Sequence, residues 1–81
     1  MRKISTKECS EGLVLVVDGN VTSAVAPRIP AQLKHDLKTQ HGFTEEDMAL
    51  LKERCARNVV KKLDLSAYEK HVAVEVIAEQ L

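Results

Sequence analysis

At 81 residues the chain has room for one small domain, 1–81, and its 44% apolar and 30% charged residues are those of an ordinary globular chain. Twelve Lys+Arg balance twelve Asp+Glu, so no bulk electrostatic pull toward nucleic acid or an anionic membrane is expected. The only aromatic residues, Phe43 and Tyr68, do not supply the stacking platform of a single-strand nucleic-acid binder.

Residues 1–11 are mixed polar with one apolar anchor, Ile4, and read as a short edge strand or a frayed tail. No apolar run of signal-peptide length follows the basic start. Leu13-Val14-Leu15-Val16-Val17 is rich in β-branched residues, and Val21-Thr22-Ser23-Ala24-Val25 follows after Asp18-Gly19-Asn20. Asp-Gly and Gly-Asn both make two-residue turns, so a β-hairpin is predicted with two registers open. The first strand is apolar at every position, a pattern that suits cover on both faces. A lone hairpin on helices leaves one face of it to another strand, a second copy of the chain or a partner. Val14 and Val16 are therefore candidate partner-binding residues.

Pro27 and Pro30 end the strand, and Pro30 suits the first position of a helix running from about Ala31 to Gln40. Leu33 and Leu37 share a face there, and Gly42 is a C-terminal stop. Thr44-Glu45-Glu46-Asp47 opens a second helix with Thr44 as N-cap. Met48, Leu51, Cys55, Val59 and Leu63 form its apolar stripe. Ser66 to Glu69 reads as a capping box for a third helix. Ala67, Val74, Ile77, Ala78 and Leu81 then share a face, and Val72 and Val76 stay outside as further candidate partner-binding residues. The alternation of Val72, Val74 and Val76 also fits a strand, and helix is preferred because of the cap. The fold class is thus α+β, an N-terminal β-hairpin followed by two or three helices.

Arg54, Arg57 and Lys61 lie on one face of the second helix and, with Arg28, are candidate nucleic-acid contacts. The competing account is dipole compensation: residues 44–50 carry three acids, and residues 52–62 carry five bases and one acid. Glu45, Glu46 and Asp47 are consecutive and point apart, which suits capping better than metal binding. His35, His41 and His71 form no ligand motif, and Cys55 sits within an apolar stripe as a small hydrophobe. Gly12, Gly19 and Gly42 are scattered and build no phosphate loop. No catalytic, metal or cofactor site is expected, and the chain is read as not an enzyme.

Two cysteines are too few for a disulfide framework; a single Cys9–Cys55 bridge stays open, and thiols in a reducing cytoplasm are the default expectation. Five consecutive apolar residues, Leu13–Val17, cannot span a bilayer. Arg28-Ile29-Pro30-Ala31-Gln32-Leu33, a strand running into a helix, resembles two families of small dimeric DNA-binding regulators. One is the swapped-hairpin family of antitoxins and transition-state regulators, and the other is the ribbon-helix-helix family. The resemblance covers six to fifteen residues at most. Thr44 onward is helical where the first family continues in strands. The strand offers Thr22 and Ala24 and is cut by Pro27 where the second needs base-reading side chains, so no DNA-reading residue is carried over. The first expectation is a non-enzymatic regulatory or inhibitory protein that acts through protein–protein contacts as a homodimer. A dimeric DNA-binding transcriptional regulator or antitoxin-like protein is the alternative.

Overall fold

The computed structural model describes all 81 residues. Three strands, β1 (Ile4–Cys9), β2 (Gly12–Val17) and β3 (Asn20–Ala26), precede three helices, α1 (Ala31–Gln40), α2 (Glu45–Val60) and α3 (Ala67–Gln80). The strands form one antiparallel sheet in the order β1-β2-β3, which makes the apolar β2 the central strand. The α+β class holds, with one strand more than the hairpin.

Asp18-Gly19 is the β2–β3 turn. Val17 pairs with Asn20, and Asp18 and Gly19 have φ of 50° and 80°, the two positive values of a type I′ turn. Asp18 also ties the N-terminus: its carboxylate accepts the Lys3 N–H at 2.8 Å, and its own N–H donates to the Lys3 carbonyl at 2.8 Å. Residues 4–9 therefore form a paired edge strand, with Ile4 opposite Val17 and Cys9 opposite Gly12.

Leu13, Leu15 and Val17 point into the core with Ala24 and Ala26 of β3. Across from them lie Ala56 and Val60 of α2, and Ala73, Val74 and Ile77 of α3, with Leu81 just beyond. Opposite Leu15, β3 carries three residues, 22–24, between the Val16–Val21 and Val14–Val25 pairs. The Thr22 hydroxyl donates to the Leu15 carbonyl at 2.8 Å and accepts the Ala24 N–H at 3.2 Å, which satisfies the bulge. Two extra residues preserve the alternation, so Ala24 and Ala26 still point inward.

Both capping boxes form. Thr44 and Asp47 cap α2, and Ser66 and Glu69 cap α3. Residues 71–77 are helical, so the strand alternative is excluded. Three expectations are corrected. Pro30 is the N-cap of α1, with extended ψ of 140°, rather than its first helical residue. The second helix ends at Val60, and Leu63 lies in the connection beyond it. Its buried residues are Met48, Ala56 and Val60, whereas Leu51, Cys55 and Val59 are only half-buried. Alanine packs deepest because it lets the helix come closest to its neighbours, a property no hydropathy stripe reports.

α1 stands apart, with no buried residue and Leu33 46% exposed. A ten-residue helix is marginal in isolation. This one is held at its C-terminal end by the Gly42 turn, where φ is 68° and Phe43 donates to the Leu37 carbonyl at 3.0 Å. Lys38 also pairs with Glu45 across that turn at 2.8 Å.

Candidate interaction surfaces

α2 and α3 form an antiparallel hairpin, joined by residues 61–66, with one side against the sheet. Between them on the other side runs an open groove of about 820 Å³. Its floor is Met48, Val60 and Val74, with Ala49, Ala67 and Ala78 beside them. The rim is charged, and the charge is sorted along its length. Glu45 and Glu79 line the end formed by the start of α2 and the finish of α3, with Glu75 one turn of α3 nearer the middle. Arg57, Lys61 and Lys70 line the opposite end, while Lys52, Glu53 and His71 lie between.

Local pairing on this rim runs mostly along single elements. Arg57 pairs with Glu53 on α2, and His71 Nε2 meets Glu75 Oε1 at 2.9 Å on α3, both at i,i+4. The Lys70 ammonium donates to the Lys61 carbonyl at 3.0 Å and so caps the end of α2. Hydrogen bonding from Lys38, and its positive charge, hold the Glu45 carboxyl below its usual range.

The outer face of the sheet is the second surface. Alternation places Val14 and Val16 of β2 there, beside Val21 and Val25 of β3. Val14 is only 4% exposed, because a central strand is flanked on both sides. Val16 and Val25 are half-buried, and Val21 at 61% is the open residue of the face. Val72 and Val76 are half-buried rather than outside. They lie on the flank of α3 that carries Gln80, whose amide reaches the Thr6 hydroxyl at 2.6 Å. The two valine pairs therefore sit on opposite faces of the sheet and form no common patch.

Of the basic residues singled out in the sequence, Arg28 is engaged. Its guanidinium donates to the Gln80 carbonyl and to Glu8 Oε1, each at 2.6 Å, and ties β1 to the end of α3. Arg57 and Lys61 line the groove, and Arg54 is exposed but does not. His35, His41 and His71 are exposed, and Cys9 and Cys55 are half-buried free thiols.

The most buried charge in the molecule is one that the sequence presents only as a cap. Glu69 is 6% exposed. It accepts Arg2 Nη2 at 2.8 Å, Arg2 Nε at 3.0 Å, the Arg2 backbone N–H at 3.2 Å and the Ser66 N–H at 3.0 Å. Hydrogen bonding from the Arg2 guanidinium, then from the Ser66 backbone, holds its carboxyl far below the usual carboxylate range. This clamp pins the N-terminus to α3. No sequence signal marked Arg2 as its partner, because 67 residues separate the two.

Half of the sequence signal for the groove is the acid-to-base gradient of α2. The other half is the reverse gradient of α3, where Lys70 and His71 come early and Glu75 and Glu79 late. No helix is long and apolar enough to cross a membrane. Compared with protein-family models, with curated proteins and with solved structures, the chain matches none.

Proposed function

We propose that the chain is a small regulatory or inhibitory protein that acts through protein–protein contacts, without chemistry of its own, and works as a homodimer. The observation that carries this reading is the α2–α3 groove, an apolar floor between two charged rims on the side of the hairpin turned away from the sheet. Protein interfaces combine an apolar centre with a polar rim in this way. The exposed Val21, with Val16 and Val25 beside it, adds a smaller apolar area on the other side of the molecule. Small size points the same way, since a core of this length supplies only a few kcal/mol and oligomerisation is a common supplement.

The test is the solution mass, measured by light scattering during size-exclusion chromatography across a wide concentration range. A dimer is expected. A monomer at every concentration overturns the homodimeric reading.

The second reading is a dimeric DNA-binding regulator, favoured by Arg57, Lys61 and Lys70 at one end of the groove and the exposed Arg54 nearby in sequence. It requires duplex binding that weakens steeply with salt and is lost on Arg54→Glu plus Arg57→Glu. Absence of duplex binding at low salt removes it.

A further inference from the structure

The charges of α2 follow its dipole, with Glu45, Glu46 and Asp47 in the first turn and Arg57 in the last. Those of α3 do not. Glu69 in its first turn is turned inward to Arg2, and no base lies in its last turn. Outward, α3 presents Lys70 and His71 near its start, and Glu75 and Glu79 toward its end. Because the helices are antiparallel, the two gradients reinforce each other. Acids from both helices gather at one end of the groove, and bases from both gather at the other. Within one chain Glu45 is met by Lys38 and Arg57 by Glu53, whereas Glu79 at one end and Lys61 and Lys70 at the other form no ion pair.

A second copy answers the charges left over at both ends. We propose that two chains dock groove to groove about a two-fold axis that lies in the interface and runs perpendicular to the helices. The acidic end of each then faces the basic end of the other, and the two hairpins make a four-helix layer. Such a contact is isologous, with the same patch used on both sides. The alanines Ala49, Ala67 and Ala78 beside the floor leave room for close approach. The two sheets lie on the outside of this dimer, which leaves Val21 and its neighbours free. The inference rests on the homodimeric reading above and names its contact surface.

Two double variants test it. Glu75→Lys/Glu79→Lys reverses the charge that α3 brings toward the acidic end, and Arg57→Glu/Lys61→Glu turns the basic end net negative. All four positions are exposed except at their stems, so folding is expected to persist, and circular dichroism checks it. Each variant alone should dimerise at least about tenfold more weakly than the wild type, since each now sets like charge against like. An equimolar mixture should restore a dimer containing one of each, detected by native mass spectrometry. Added salt should weaken the wild-type dimer.

A wild-type dimer that survives both double variants, or a mixture that forms no mixed dimer, overturns groove docking. If Val21→Lys then dissolves that dimer, the contact lies on the sheet face and the homodimeric reading stands. A wild-type monomer at every concentration overturns both.

Discussion

Gly12 offers the sharpest test of the architecture. It opens β2 opposite Cys9, with φ of 138°, and its backbone lies against the end of β3. A Cβ added there would lie 2.3 Å from the Ala26 carbonyl oxygen and 2.9 Å from Pro27 Cα. Both are backbone atoms, so no side chain can rotate away and the sheet itself must give. A non-glycine residue in this region costs about 1–3 kcal/mol of backbone strain. Forcing β3 outward adds about 1–3 kcal/mol, as overpacking does elsewhere. Gly12→Ala is therefore expected to cost about 2–6 kcal/mol. The whole domain has about 4–12 kcal/mol at typical stability per residue, so the variant loses a large share or fails to fold. Gly19→Ala is the control, because Gly19 has φ of 80° but nothing within 4 Å of the added Cβ. Only the left-handed penalty of about 1–2 kcal/mol applies to it. Urea unfolding followed by circular dichroism, at one fixed protein concentration, measures both. At about 4–8 °C per kcal/mol for a domain of this size, the thermal midpoint of Gly12→Ala should fall by roughly 10 °C or more. Equal losses for the two variants would refute the close approach of β2 to the end of β3.

Three further outcomes are expected. Glu69 is ionised far below its unfolded value near 4.5, so its contribution is complete above that pH and is lost as the pH falls below it. Glu69→Gln should flatten the decline of urea stability between pH 5 and 3, and an unchanged decline would contradict the Arg2 clamp. Ser66→Ala removes the acceptor of the Glu69 N–H at 3.2 Å and should cost about 0.5–2 kcal/mol by urea unfolding, while an unchanged midpoint would deny the cap its role. Leu15→Ala, at a fully buried position, should cost about 2–5 kcal/mol, and Val16→Ala on the opposite face clearly less. A reversal of that order would mean that the sheet faces the helices with its other side.

Local chemistry made much of the chain legible. The Asp18-Gly19 turn, the Thr44 and Ser66 caps, the proline-bounded start of α1 and the Gly42 stop all depend on neighbours within a few residues, and each appears where its residues stand. β1 was ambiguous because its own pattern is polar. Its order comes from pairing with β2 and from Asp18 holding Lys3.

What the sequence determined by itself is therefore the set of elements after residue 11 and the α+β class, since turns, caps and apolar periodicity act over a single turn of chain. Tertiary structure decided which residues of each element are buried. Ala56 and Val60 displaced the larger Leu51 on α2 because close approach of helix to sheet rewards small side chains. It also decided that Glu69 meets Arg2, and that two opposed charge gradients coincide along one groove. Each of these follows from segments far apart in the chain lying side by side, and composition and spacing along one segment carry no record of that.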